Sequence, residues 1–100
     1  MKRVERVEAN EFEWDENKRR ITLFKSGIDF RDAARGLSRP HAATSSDRGE
    51  PRILALAQVG GRVAVIIFTM RGDVCRIISA WPADRNEQRK LYEILRRSTS

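Results

Sequence analysis

The sequence is poor in the residues that build disulfides and metal sites. Its 100 residues include one cysteine, Cys75, and one histidine, His41. A lone cysteine cannot form a disulfide within the chain, and a lone histidine gives little basis for a zinc cluster. We therefore expect a reducing, cytoplasmic environment and an activity without metal or cofactor. Cys75, within an apolar segment, is expected to be buried, and His41, beside Pro40, is expected at the surface.

Long hydrophobic runs are also missing. The longest apolar run covers residues 63–68, six in all, whereas a membrane-spanning helix needs ~20. Residues 1–8 are charged where a signal peptide carries its apolar stretch, so we expect neither membrane insertion nor export. A chain of this length suffices for one hydrophobic core. We predict a single domain over residues 1–100, with residues 1–10 as a flexible N-terminal extension.

Positive charge is concentrated after the first twenty residues. The formal net charge is +6, yet residues 1–20 contain six basic and six acidic side chains, which cancel. Sixteen of the twenty basic residues are arginine. Because a guanidinium can hold a phosphate through two parallel hydrogen bonds, this composition favours RNA or DNA as a partner. Codon usage in a GC-rich genome would also raise the arginine content, and composition alone leaves both explanations open.

Aspartates, a glycine and a proline divide the first fifty residues into elements. Asp15 and Asp29 each precede a segment with helical periodicity, and an aspartate there accepts hydrogen bonds from the first turn. Gly27 is suited to ending the first helix, and Pro40 prevents the second from continuing. The predicted elements are a strand over residues 11–15, a helix over 16–25, a helix over about 29–37, and a loop over 38–50 with room for one short strand.

The second half of the sequence changes to the two-residue period of strands. Gly60 and Gly61 predict a tight hairpin turn, and Asp84 with Glu87 predicts a capping box for a last helix. The middle strand is apolar on both faces, which predicts helices on one side of the sheet and another helix or a partner on the other. The predicted elements are strands over residues 52–59, 62–70 and 74–80 and a helix over about 84–97. The predicted fold is α+β, an antiparallel sheet of three to four strands packed with two N-terminal helices and one C-terminal helix.

Arg76 is the most informative residue for chemistry because it interrupts an apolar strand. An unpaired buried arginine would be strongly destabilising. Arg76 therefore either pairs with a carboxylate such as Glu50 or Asp73, or belongs to a face open to solvent and ligand. On such a face Lys25, Arg52 and Arg76 could meet a phosphodiester. Their fixed charges would then stabilise the transition state for attack of an RNA 2′-hydroxyl on phosphorus, without metal.

Six motifs follow one another along residues 11–93, namely Phe-Glu-Trp-Asp-Glu-Asn-Lys at residues 12–18, Lys-Ser-Gly-Ile-Asp-Phe at 25–30, Gly-Glu-Pro-Arg at 49–52, Arg-Gly-Asp-Val at 71–74, Arg-Ile-Ile-Ser-Ala at 76–80 and the segment 87–93. Together they resemble the BrnT toxin family. The resemblance implies a RelE-like fold and a type II toxin, a ribonuclease that blocks translation. It also implies a ribbon-helix-helix antitoxin of the BrnA kind that binds operator DNA, and a homodimer or a heterotetramer with that antitoxin.

The same resemblance marks the residues of an active site. It implies Lys25, Arg52 and Arg76 as catalytic residues, with Glu50 and Tyr92 in support. Two further residues are expected to help bind RNA, namely Arg62, which lies on an apolar strand, and Trp81, whose indole can stack on a base.

Two departures from the family pattern bear on activity. Ser26 stands where the family usually has a histidine, and Trp81 stands where it usually has an arginine. Losing an imidazole removes acid–base catalysis worth typically ~10²–10⁴-fold, and losing an arginine removes a fixed charge. The sequence therefore leaves open an active endoribonuclease and a degenerate toxin that acts as an antitoxin-binding co-repressor or a nucleic-acid-binding module. A nucleic-acid-binding protein outside toxin systems is a third interpretation.

Overall fold

A computed structural model describes residues 3–46 and 52–98 of the chain, and the elements found there confirm the α+β prediction. The three helices and the three central strands lie within a few residues of the predicted bounds. In chain order the elements are β1 (Arg3–Glu5), β2 (Glu11–Glu13), α1 (Glu16–Ser26), α2 (Phe30–Leu37), β3 (His41–Ser46), β4 (Arg52–Val59), β5 (Arg62–Arg71), β6 (Val74–Pro82) and α3 (Arg85–Ser98).

The prediction of three to four antiparallel strands is too small, because two short strands lie at the edges of the sheet. Within the described residues the sheet has six strands in the order β1-β3-β4-β5-β6-β2. It is mixed, because β2 pairs in parallel with β6 whereas the other neighbours are antiparallel. β1, which falls within residues 1–10, pairs with the start of β3. β2 lies within the strand predicted over residues 11–15, but its parallel pairing with β6 was not predicted. A three-residue strand such as β1 carries too little pattern for recognition and forms through a partner distant in sequence.

The helices begin and end at the predicted capping residues. The Asp15 carboxylate accepts hydrogen bonds from two backbone N–H groups at the start of α1, and Asp29 accepts one at the start of α2. Gly27 ends α1 in the left-handed conformation, with φ 73°. Asp84 and Glu87 exchange side-chain-to-backbone hydrogen bonds of 2.8 and 2.9 Å, the predicted capping box of α3. No helix in residues 3–46 and 52–98 is long and apolar enough to span a membrane.

The sheet separates two hydrophobic cores. On one side Phe30 and Leu37 of α2 pack over β4, β5 and β6, with Trp14 against the edge of the Phe30 ring at a centroid distance of 6.4 Å. On the other side Leu91 of α3 packs with Leu56 and residues of β5. The central strand β5 is thus buried between helices on both faces over its first part, residues 63–67, as its apolar sequence predicts.

His41 is buried, not at the surface as predicted. Residues 41–46, predicted as loop with room for one short strand, form β3, an interior strand between β1 and β4, and the imidazole has no exposed area. Its Nδ1 is 2.8 Å from the carbonyl oxygen of Arg39, and its Nε2 has no hydrogen-bond partner. Burial lowers the pKa of His41. Cys75 is buried as predicted, and burial raises the pKa of its thiol to about 12.

Candidate active site

Helix α3 covers only part of its side of the sheet. It packs mainly against β1, β3 and β4. Among the described residues, no helix covers that face of the sheet where the end of β5 lies beside β6 and β2. Strand alternation directs one set of side chains to this region, which we call the open face. It includes Glu13, Arg52, Thr69, Arg76, Ser79 and Trp81.

Four of these side chains form one row across the sheet, which we call the arginine row. Arg76 on β6 is paired with Thr69 on β5 and with Glu13 on β2. Arg52 is adjacent to Thr69, because the next residue of β4, Ile53, pairs with Phe68. Neighbouring strands are ~4.8 Å apart, so the backbones of Arg52 and Arg76 are separated by about 10 Å. Two guanidinium groups at this spacing can converge on one phosphate or hold two successive ones.

Arg76 has a carboxylate partner and is accessible as well. Its Nη1 lies 3.5 Å from Oε1 of Glu13, and the two side chains are 35% and 38% exposed. Asp73, one of the two predicted partners, hydrogen-bonds to Asn10 instead, and Glu50, the other, lies outside the described residues. An ion pair this exposed contributes about 0–1 kcal/mol to stability. A phosphate can therefore bind Arg76 without a large loss of existing interactions.

Lys25 and Arg62 form a second basic cluster, away from the arginine row. Lys25 is exposed in the last turn of α1. The residue after it, Ser26, accepts a hydrogen bond from the Arg62 guanidinium at its backbone carbonyl. Arg62 begins β5, whereas Thr69 lies seven residues further along it. At ~3.3 Å per residue this separation is ~23 Å. Arg62 also shares the α2-side face with Ala64, whereas Thr69 shares the α3-side face with Val65. The predicted cluster of Lys25, Arg52 and Arg76 is therefore divided between opposite ends of β5, with Arg62 and the arginine row on opposite faces of the sheet.

Ser26 uses its hydroxyl within its own helix. The Oγ atom donates a hydrogen bond of 2.8 Å to the backbone carbonyl of Thr22, one turn earlier. Such back-bonding is common for serine in helices and leaves the side chain turned toward the backbone. A serine hydroxyl also does not titrate near neutral pH. Ser26 therefore does not supply a proton acceptor in place of a histidine.

Trp81 shares the open face with Arg76, whereas Tyr92 does not. Trp81 pairs with Val65 near the end of β6 and is 41% exposed, so its indole is available to a base. Tyr92 is exposed on α3 and lines a separate groove with Arg39 and Gln58. No group of three His, Cys, Asp or Glu side chains able to hold a metal ion occurs in residues 3–46 and 52–98.

Comparisons with known proteins identify the family of this chain. The sequence profile of a family described as "Ribonuclease toxin, BrnT, of type II toxin-antitoxin system" matches residues 14–87. The chain belongs to the BrnT toxin family. A BrnT toxin of this kind is a ribonuclease with an antitoxin as its partner. The matched region contains Lys25, Arg52 and Arg76.

A solved BrnT structure supports the fold. The crystal structure of the Brucella abortus ribonuclease toxin BrnT, at 1.1 Å resolution, is similar to this chain with a TM-score of 0.57 and 28% sequence identity. The alignment covers 75% of this chain and 97% of the Brucella toxin. No protein with a curated description matches the chain. The resemblance seen in the sequence motifs is confirmed at the level of family and fold.

Sequence reasoning did not single out Glu13 as a site residue. Its place in the alternating segment 11–15 indicates only a polar side chain on a short strand. The parallel pairing of β2 with β6 brings it beside Arg76. Parallel pairing between segments more than sixty residues apart leaves no local signal, so only the family motif that contains Glu13 could have indicated it.

Proposed function

We propose that this BrnT-family chain is an active, metal-independent endoribonuclease of the cytoplasm that inhibits translation by cleaving RNA. The observation that carries the proposal is the arginine row, in which Arg52 and Arg76 lie about 10 Å apart on the face that α3 leaves uncovered. The RNA 2′-hydroxyl attacks the adjacent phosphorus, and the two arginines stabilise the charge that develops on the phosphoryl oxygens.

The remaining basic and aromatic residues extend the RNA site. Trp81 lies farther along β6 on the open face and stacks on a base, an interaction worth ~1–3 kcal/mol. Arg62 lies next to the end of α1, which carries Lys25, and points to the other face of the sheet, because it pairs with Val59 of the α2-side core. An RNA strand bound at the arginine row would reach these two cations only by passing Trp81 and continuing around the edge of the sheet beside β6. Lys25 is therefore proposed to bind a phosphate of the same RNA as Arg52 and Arg76, at a different nucleotide.

The antitoxin partner is proposed to be a BrnA-like ribbon-helix-helix protein. It would neutralise this chain in a heterotetramer and bind operator DNA, so that the chain reaches DNA only through its partner. Apolar surface for such a complex is present on α1, where Ile21 and Phe24 are 54% and 91% exposed. Side chains of this kind on an otherwise charged helix are typical of an interface.

A second function is favoured by the state of Ser26. The Ser26 hydroxyl is hydrogen-bonded to the backbone of its own helix. In addition, Trp81 stands where the family usually has an arginine. Both differences would weaken cleavage more than binding. In this alternative the chain is a degenerate toxin that binds its antitoxin and acts as a co-repressor.

Cleavage of RNA by the purified, antitoxin-free chain in EDTA separates the two functions. Products ending in 2′,3′-cyclic phosphate are expected, with strongly reduced cleavage by Arg76→Ala, Arg52→Ala and Lys25→Ala. Arg31→Ala, which removes an exposed arginine from α2, is the matched control and should retain activity. A folded wild-type chain that binds its antitoxin but leaves RNA intact would establish the degenerate toxin instead.

A further inference from the structure

Attack by a 2′-hydroxyl requires a group that accepts its proton. Arginine does not serve, because its guanidinium stays protonated at physiological pH. The position where the family usually has a histidine is Ser26, whose hydroxyl is bonded to Thr22 and lies with the second basic cluster, not with the arginine row. In the described part of the chain, the carboxylate in contact with Arg76 is that of Glu13.

We propose that Glu13 is the general base of this site, an inference that rests on the proposed ribonuclease function. The Glu13 carboxylate takes the proton from the 2′-hydroxyl as the O2′–P bond forms. The P–O5′ bond breaks with its electron pair on O5′, and water protonates that oxygen. The products are a 2′,3′-cyclic phosphate and a free 5′-hydroxyl, with no change in oxidation state.

The position of Glu13 suits this role. Its Oε1 lies 3.5 Å from Nη1 of Arg76, so a phosphate held by Arg76 is next to the carboxylate. The 2′-hydroxyl that attacks belongs to the nucleotide joined to that phosphate, so it too lies near Glu13. The side chain is 38% exposed and can be reached by a ligand. A base must lie within about 2.6–3.2 Å of the oxygen it deprotonates, which a rotation of this side chain can provide.

The backbone at Glu13 is held firmly by its neighbours. Phe12 is paired with Cys75 and packs into the core on the α2 side of the sheet, and Trp14 packs against Phe30. Because strand side chains alternate between faces, these two anchors direct Glu13 to the open face. Replacing its carboxylate by an amide should therefore leave the fold intact, since no core contact is lost.

The test is Glu13→Gln, which keeps the shape of the side chain but removes the base. Cleavage should fall by roughly 10²–10⁴-fold, while affinity for a non-cleavable 2′-O-methyl RNA stays the same or increases. Glu11→Gln is the matched control, two residues earlier on the same face and strand, and should cleave like the wild type. Partial activity in Glu13→Asp would further support the role.

Four results would overturn the inference. Cleavage by Glu13→Gln at the wild-type rate would show that Glu13 is not the base. Faster cleavage together with tighter RNA binding would show that the Glu13 carboxylate competes with the RNA phosphate for Arg76. If Glu13→Gln lost RNA affinity and cleavage rate by the same factor, Glu13 would only position Arg76. A wild-type chain that cleaves no RNA would overturn both this inference and the proposed function, whereas the first three results contradict the role of Glu13 alone.

Discussion

Gly36 is the position at which helix α2 comes closest to the sheet, and Gly36→Ala tests how tightly the two are packed. Gly36 is buried in α2 and faces β4. A Cβ atom added there would lie 2.6 Å from the backbone carbonyl oxygen of Gln58 and 3.2 Å from Cγ2 of Val59. Both neighbours belong to β4, which is paired on its two sides with β3 and β5. The strand therefore cannot move away easily.

Two effects of opposite sign determine the size of the change. Alanine favours a helix over glycine by about 1 kcal/mol, which stabilises the variant. Restoring an ordinary contact with the Gln58 carbonyl requires α2 to move by roughly 0.8 Å, which loosens the packing of Phe30, Ala33 and Leu37. Overpacking of a well-filled core costs about 1–3 kcal/mol, and contact with a fixed backbone atom belongs in the upper part of that range. We expect the free energy of unfolding to fall by about 1–2 kcal/mol.

Thermal unfolding followed by circular dichroism measures this change. For a chain of this size each kcal/mol corresponds to about 4–8 °C in Tm, so the decrease should be clear. Arg31→Ala, at an exposed position of the same helix, is the control and should change stability by less than about 0.5 kcal/mol. A Gly36→Ala chain as stable as the wild type, or more stable, would show that helix propensity dominates and that α2 is not held against β4 as described.

Three further predictions concern the arginine row and the two buried titratable groups. Arg52→Ala and Arg76→Ala should each reduce the slope of log affinity for single-stranded RNA against log salt concentration by about 0.7, measured by filter binding; an unchanged slope would mean that the residue does not contact phosphate. Because burial lowers the pKa of His41, the unfolded chain binds its proton more readily, and the free energy of unfolding should decrease as the pH falls below ~6.5. Denaturant titrations of the wild type and His41→Gln over this range test the effect, which the variant should lack. Cys75, whose pKa burial raises to about 12, should react slowly with iodoacetamide in the folded chain and rapidly in guanidinium, and fast labelling of the native protein would contradict its burial.

The sequence by itself determined where the helices begin and end and how the central hairpins turn. Asp15, Asp29 and Asp84 cap helices because a side-chain oxygen satisfies N–H groups only a few residues away. Gly27 and the Gly60–Gly61 turn adopt positive φ angles that other residues rarely take. These interactions are local, so the residues that decide them are adjacent in the sequence. The family resemblance was also carried by motifs that can be read directly.

Tertiary structure decided which of the candidate residues meet. Arg76 is paired with Glu13, not with Asp73, because β2 adds to the edge of the sheet beside β6. Lys25 lies away from the arginine row because α1, which starts near that end of the sheet, carries its last turn toward the start of β5. His41 is buried because residues 41–46 form an interior strand of the sheet and not a surface loop. Each outcome depends on pairing between segments far apart in the chain, and such pairing is fixed by the packing of the whole sheet, which no local pattern of residues encodes.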